Sequence, residues 1–524
     1  MRTRWLLILT LALCTFLRFY DLDGYGLWSD EFVTLLIVSS QSFKDVIQTC
    51  FDVPQPMPPL YFLANKWIYD FFGPGEVGLR VLSATGSVAA GYFLFAVGRT
   101  LFSAEIGLWS LLLFAVNSTQ IVYAQNARPY AIGLLLSTVS MLCYLKCRRQ
   151  PSRAWALGYL VATALLLHTH YIFFPVLLIQ NIHMAFWRDE SAPASQKALQ
   201  WRSWLALQAG VAVLLLPLYP QLWRIVLARQ SLNWESKYPG ASDFFMFLHP
   251  FLLLWGVCAW CVLWFACESL RSGRLRAREV HPNRLLMQRS SFALVTLWYL
   301  LPLALFFVMA QGNGLNLFVE RYLVLASMPV FLALPALALA VGPRWAGRGA
   351  LLVYLLAYVY TTPATYFVQK GHFSQGVPGG NEWREALGQL AEQKYRASLF
   401  LFQSPFIESN QLDFADNPRL ARYLSAPLHS FYVRDTVGPF VLLPVYWSLT
   451  SQAHAQFRSE IRSRLLAHQD FMLVATKKFW ADFEPWLKSE ASRGGEWRIL
   501  ESFHSTGALR LKRLVWTSER QRSS

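Results

Sequence analysis

The chain has 524 residues, 55% of them hydrophobic and 15% charged, with a formal net charge of +16 and a mean hydropathy of +0.31. This composition excludes a single soluble domain and fits a polytopic membrane protein, with Trp 21, Tyr 22 and Phe 38 supplying the aromatic load typical of membrane interfaces. The basic excess lies in short loops between apolar runs, with no basic stripe interleaved with aromatics, so it argues against nucleic acid as a partner.

Met1-Arg2-Thr3-Arg4 followed by the apolar run Trp5 to Leu17 imitates a signal peptide, but no small-x-small cleavage site follows. It reads as a retained first span. Apolar runs near 20 residues bounded by charge predict about eleven spanning helices, at roughly 5–19, 78–98, 104–121, 129–146, 154–168, 170–187, 203–219, 245–268, 291–310, 322–341 and 350–367. Basic residues set their orientation. Arg2 and Arg4, then Lys146 to Arg153, then Arg271 to Arg289, then Arg344 and Arg348, all fall on one side, which the positive-inside bias makes cytoplasmic. The first opposite loop, residues 21–76, carries eight acids and only Lys44 and Lys66. Two of its segments, Phe32 to Val38 and Pro58 to Phe72, are too short to span and are expected to lie in the interface as a roof over the bundle. The seven cysteines form no disulfide framework; six lie in or beside apolar runs, including Cys258 and Cys261.

Glycines at 371, 376, 379 and 380 mark a linker. The expected organisation is a transmembrane domain over 1–370, a linker over 371–380 and a small extracytoplasmic α/β domain over 381–524. In that domain a capped helix should start at Asn381 and run to about Arg396, and buried strands are expected at 398–403 and 471–476. A helix is expected at 482–492, and a closing hairpin at 498–504 and 508–514.

Four groups with chemical potential share the outer face in this topology: Asp30-Glu31; Arg128 and Tyr130 in Gln125-Asn126-Ala127-Arg128-Pro129-Tyr130; His168 and His170-Tyr171; and Glu320-Arg321-Tyr322. Each has a structural alternative. The acid pair could be a solvated loop, Arg128 could snorkel, the histidines could sit at the interface, and Arg321 could anchor a helix end or pair with Glu320. Their convergence favours chemistry. A carboxylate serves as general base to a hydroxyl, arginines hold a phosphate and neutralise charge growing on it, and histidine or tyrosine binds sugar hydroxyls or the phosphate. A rival class, a membrane transporter or lipid flippase, would place charged groups at the bilayer midplane on broken helices, often in inverted repeats. A scaffold whose outer domain binds partners is a third reading.

The ordered set of Arg18-Phe19, Leu27 to Glu31, Pro58-Pro59-Leu60-Tyr61, Glu76 to Arg80 with Leu82-Ser83-Ala84, Gln125 to Tyr130, His170-Tyr171, Arg321-Tyr322-Leu323 and Glu382-Trp383-Arg384 resembles the GT-C integral-membrane glycosyltransferases. The similarity is to the bacterial branch related to protein O-mannosyltransferases and aminoarabinose transferases, and it covers residues 5–400. The resemblance implies a polyprenyl-phosphate sugar donor, an acceptor that is lipid, glycan or protein, and inversion at the anomeric carbon. It implies Asp30 as base, Glu31 as its orienting partner or a cation ligand, and Arg128 at the donor phosphate; from the residues themselves, Arg321 is a second candidate for that phosphate. Two departures stand out. Asn126 replaces a Glu found two residues before the arginine in relatives, which puts a divalent cation held by two carboxylates in doubt. Met57 replaces a His directly before Pro58-Pro59.

Overall fold

The computed structural model of the chain describes residues 2–54, 56–187, 199–227, 239–246, 289–311, 317–340, 344–374, 376, 380–392, 399–414, 417–433, 440–468, 470–491, 495–504 and 509–518. Most of these residues are helical, and one small sheet lies near the C-terminus. They divide into two compact units interleaved in sequence. A helical unit comprises Met1–Leu22, Pro56–Ala64 and Arg80–Gln375; a sheet-bearing unit comprises Asp23–Gln55, Asn65–Leu79 and Gly376–Ser524.

The helices up to residue 186 are α1 (Arg2–Phe19), α2 (Ser29–Val38), α3 (Phe43–Asp52), α4 (Leu60–Phe72), α5 (Glu76–Leu101), α6 (Ala104–Val116), α7 (Ser118–Ala124), α8 (Tyr130–Arg149), α9 (Arg153–Thr169) and α10 (Pro175–Phe186). Among the described residues, six helical stretches are long and apolar enough to cross a membrane: Glu76–Leu101, Tyr130–Arg149, Trp201–Leu227, Arg289–Met309, Leu323–Ala340 and Arg344–Lys370. The bent pair α6 and α7 makes a seventh if it is one span. Helices also cover the expected spans at 5–19, 154–168 and 170–187; the expected span at 245–268 lies almost wholly outside the described residues.

Burial separates the centre of the helical unit from its periphery. The most apolar windows of Tyr130–Arg149 and Leu323–Ala340 are 72% buried, those of Trp201–Leu227 and Arg344–Lys370 only 17% and 11%. Leu205, Val213, Leu216, Val353, Leu356 and Val368 on the latter two stretches are exposed. A continuous apolar surface of this kind is a liability in water and is the natural outer surface of a protein solvated by hydrocarbon.

Three expected spans change shape for local reasons. The run at 104–121 is not straight: it bends by 69° at Asn117. Asn117 caps α7 by accepting from the Gln120 N–H at 3.1 Å, and Tyr358 Oη accepts from the Asn117 side chain and the Ser118 N–H. The run at 203–219 extends to Leu227 through a 3-10 turn at Leu216–Leu218 that contains Pro217. The run at 350–367 begins earlier, at Arg344, and carries a π turn at Tyr360–Ala364 around Pro363.

The bend at Asn117 explains a buried charge. It leaves late carbonyls of α6 without their usual N–H partners four residues on. Arg18, fully buried at the end of α1, donates to the Phe114 and Ala115 carbonyls at 3.0 and 2.9 Å and to Ser87 Oγ at 2.8 Å. Its guanidinium lies 4.6 Å from the centre of the Phe114 ring. Such a charge is tolerated because its donors are satisfied.

In the sheet-bearing unit the strand order is β2-β1-β3-β5-β4. β1 (Leu399–Gln403) runs parallel to β2 (Phe440–Leu443) and to β3 (Asp470–Thr476). β3 pairs antiparallel with β5 (Leu509–Ser518), which closes a hairpin with β4 (Gly495–His504). Parallel strands need both faces covered, and β1 is buried at every residue. Leu399, Leu401, Leu443, Phe471 and Leu473 share a core with Trp447, Phe479 and Phe483. The other face carries Phe402, whose ring centre is 5.8 Å from that of Trp383. The expected helix at 381–396 spans Gly380–Glu392, and the one expected at 482–492 starts earlier, at Lys477. Thr476 Oγ1 accepts from the Phe479 N–H in its first turn, which sets that earlier start.

Replacing Arg18 with Leu orphans the α6 carbonyls and should cost roughly 2–4 kcal/mol. The expected result is a lower thermal midpoint for the purified protein in lipid nanodiscs, with Arg18→Lys recovering only part of it.

Candidate functional site

The acid pair belongs to the sheet-bearing unit, and its placement follows from local rules. Asp30 and Glu31 sit in the first turn of α2, where carboxylates complement the positive end of the helix dipole. The two are not equivalent. Glu31 is fully buried and its carboxylate accepts from the backbone N–H of Trp28 at 3.5 Å, folding back on the helix start. Asp30 is partly exposed.

The segment leading into α2 is tied down within its unit by residues distant in sequence. Tyr432 Oη accepts from the Leu27 N–H at 2.8 Å and donates to Glu76 Oε1 at 2.7 Å. The same Glu76 oxygen accepts from Arg384 at 2.7 Å, and Arg384 also donates to the Asp23 carbonyl. Asn381 Oδ1 accepts from the Gly26 N–H at 2.9 Å. Burial, then the Glu76 carboxylate, push the Tyr432 phenol well above its ordinary range, so it remains a hydroxyl that can donate. Phe32 packs edge-on against Trp383 and Tyr432. Gly376 is required here: its φ is +68°, and a Cβ would lie 2.5 Å from the Tyr25 ring.

The remaining residues belong to the helical unit. Arg128 is buried. Its backbone is held by Ser83 Oγ, which donates to the Arg128 carbonyl at 3.2 Å and bonds Tyr61 Oη at 3.0 Å. The guanidinium reaches Met57 Sδ at 3.6 Å. The Met57 carbonyl accepts from Gln221 at 3.1 Å, and Gln221 accepts from Tyr171 Oη. Tyr130 is buried and stacks on His170 with ring centres 5.8 Å apart. His170 meets Tyr322 edge-on, and the Arg321 guanidinium lies 5.2 Å from the Tyr322 ring centre. Arg128 and Arg321 both lie within electrostatic reach of His170. Glu320, which is exposed, acts in the same way on Tyr123, whose ring packs against Tyr130. Gly133 lets Phe173 pack directly against α8, since a Cβ there would fall 2.0 Å from the Phe173 ring.

Arg128, Tyr130, His170, Tyr171, Glu320 and Arg321 are therefore brought together within the helical unit. His168 takes another position: its Nε2 bonds the Leu214 carbonyl at 2.9 Å, which joins α9 to the helix beginning at Trp201. Two guanidiniums framed by tyrosines and an imidazole form a set suited to an anionic phosphate with sugar hydroxyls nearby. A cation site is a different matter. Among the described residues no group of three or more His, Cys, Asp or Glu side chains is placed to hold a metal ion, and Glu31 is already engaged as a helix cap. The donors present do not fit a three-ligand site.

Sequence reading missed Glu76, Tyr432 and Asn381 as positioning residues, and also Gln221 and Tyr123. Glu76 and Arg384 stood in recognised motifs, but nothing in either motif signals a partner 308 residues away.

The fold is similar to that of solved ArnT structures. ArnT from Cupriavidus metallidurans in the apo state superimposes with a TM-score of 0.57 at 12% identity, covering 98% of both chains. The same protein bound to undecaprenyl phosphate gives 0.56, again at 12% identity and 98% of both chains. At that identity the likeness establishes the fold. No family model matches the sequence, and no curated protein matches it either.

Tyr432→Phe deletes the hydroxyl shared by Leu27 and Glu76 and should cost about 1–2 kcal/mol locally. Hydrogen exchange of the backbone around residues 23–31 should then speed up roughly 5–30-fold, while exchange in α8 stays unchanged.

Proposed function

We propose that this protein transfers a sugar, a mannose-like hexose or a related one, from a polyprenyl-phosphate donor to an acceptor on the outer face of the cytoplasmic membrane. The observation that carries the reading is the fold similarity, over 98% of the chain, to ArnT, one structure of which is bound to undecaprenyl phosphate. The buried Arg128 and the neighbouring Arg321, flanked by Tyr130, His170 and Tyr171, support it. In this reading the chain crosses the membrane eleven times, with its N-terminus cytoplasmic and residues 381–524 extracytoplasmic.

The chemistry is a single displacement. Asp30 takes the proton of the acceptor hydroxyl as the acceptor oxygen bonds to the anomeric carbon from the face opposite the phosphate. The bond from the anomeric carbon to the phosphate oxygen breaks, its electron pair leaves with the phosphate, and the configuration inverts. Arg128 and Arg321 neutralise the charge growing on that phosphate, a stabilisation greater in the transition state than in the bound donor. Tyr130, His170 and Tyr171 contact the donor phosphate or sugar. Glu31, held by the Trp28 N–H, fixes the turn that carries Asp30 rather than exchanging a proton itself.

Asp30→Asn removes the proton acceptor with little change in size. Transfer by the purified protein in nanodiscs, supplied with a panel of undecaprenyl-phosphate hexoses and pentoses, should fall by about 10²–10⁴-fold in kcat. Donor binding should persist. Full transfer by Asp30→Asn contradicts the assignment. Arg128→Met should instead weaken donor binding and lower kcat together, with a loss of roughly 2 kcal/mol or more in kcat/KM.

A further inference from the structure

The sheet-bearing unit contains a cavity of about 320 Å³ that none of the roles above uses. It lies beyond the carboxyl ends of the three parallel strands, where Gln403-Ser404 follows along β1, Val445-Tyr446 follows β2 and Thr476 ends β3. The chain leaves β1 to form β2 on one side and then β3 on the other. Strand order reverses direction at β1, and crevices at such switch points are the usual ligand sites of open α/β sheets. The volume is at the small end of the roughly 300–1,000 Å³ of small-molecule pockets.

The floor is rigid. The Gln403 amide donates to the Val445 carbonyl at 2.8 Å and accepts from the Thr476 N–H at 2.7 Å, which staples the ends of β2 and β3 across β1. Asn410 Oδ1 accepts from the Tyr446 N–H at 3.1 Å and holds that residue in the wall. The walls carry aromatic rings from Trp28, Trp383, Tyr446 and Phe479, and the polar groups include Glu382, Lys478 and Asp482. Carboxylates beside an ammonium disfavour both a strongly anionic and a strongly cationic ligand. Aromatic faces suit an apolar ring face, while carboxylate and ammonium groups suit hydroxyls as acceptors and donors. That combination describes a neutral carbohydrate ring.

The cavity also includes Trp28 and Ser29, the two residues directly before Asp30. We propose that it holds a sugar ring of the acceptor, so that the acceptor is a glycan or glycolipid rather than a bare peptide. This rests on the transfer reading for the word acceptor; the binding of a sugar ring does not.

The test is saturation-transfer NMR on the full-length protein in nanodiscs. The probes are methyl glycosides of common hexoses, N-acetylhexosamines and pentoses, alongside a Ser/Thr-rich hexapeptide. At least one glycoside should bind, about tenfold more weakly to Tyr446→Ala and to Glu382→Gln, the equivalent of one lost ring or polar contact. Both positions are partly or well exposed, so both variants should fold. Binding of the peptide alone, no glycoside binding, or glycoside binding unchanged in both variants overturns the proposal. Retained transfer by Asp30→Asn would fail the catalytic reading without touching this one.

Discussion

Glu76 holds the sheet-bearing unit together around the segment that carries Asp30. A single carboxylate oxygen accepts from Tyr432 and from Arg384, and each of those side chains also grips backbone between Asp23 and Leu27. The pair is half-shielded, with the Glu76 side chain 12% exposed and that of Arg384 33%. Its value is less a Coulomb gain, which desolvation largely offsets, than geometric definition. Charge-assisted hydrogen bonds to backbone fix a loop that would otherwise be free to vary. The turn into α2 inherits that definition, and Glu31 extends it by capping the helix start through Trp28. In the proposed transfer, Asp30 as base must be held at the right place before substrate arrives, because a loose base gives up the advantage of intramolecular position.

The helical unit solves a related problem in a medium without water. Backbone N–H and C=O groups in hydrocarbon must find partners inside the protein. Arg18 satisfies carbonyls that the bend at Asn117 leaves behind. Arg128 is built in through its own carbonyl to Ser83 and through Met57, whose carbonyl anchors Gln221 and thereby Tyr171. Met57 is thus more than a missing histidine. Its sulfur touches the guanidinium and its backbone organises the neighbouring tyrosine, so the position remains part of the arginine's setting without supplying a charge.

Much of the architecture was legible because its signals are local. Apolar length located the helices at α1, α5, α8 and Arg289–Met309, and alternation with buried runs located β1, β3 and the β4–β5 hairpin. What escaped has physical reasons. β2 is four residues long, preceded by Gly438-Pro439 and followed by Pro444, so turn residues masked a short strand. α3 announces itself only through Ser42 and Asp45, which cap each other, because its mean character is not apolar. Helix Gln452–His468 is rich in charge and buries little besides His454, Ile461 and Leu465. The bend at Asn117 hid in an otherwise continuous apolar run. For the functional groups, residue type and order singled out Arg128, Tyr130, His170, Tyr171 and Arg321, which gather in one unit. His168, two residues from His170, serves a helix contact instead, since neighbours on a helix terminus point in different directions. Partnerships across hundreds of residues, such as Glu76 with Arg384, carry no local signature at all.

The central claim is that the protein cleaves a lipid-linked sugar and passes the sugar on, rather than moving the lipid intact. The most direct measurement uses the wild-type protein in proteoliposomes with undecaprenyl-phosphate sugars carrying carbon-13 at the anomeric position. Acceptor glycolipids from the same membranes are supplied, and the anomeric carbon–hydrogen coupling is followed by NMR alongside free undecaprenyl phosphate. The account predicts a product of opposite anomeric configuration and one undecaprenyl phosphate released per sugar transferred. Intact donor appearing in the opposite leaflet without cleavage, or a product that retains the donor's configuration, would contradict it.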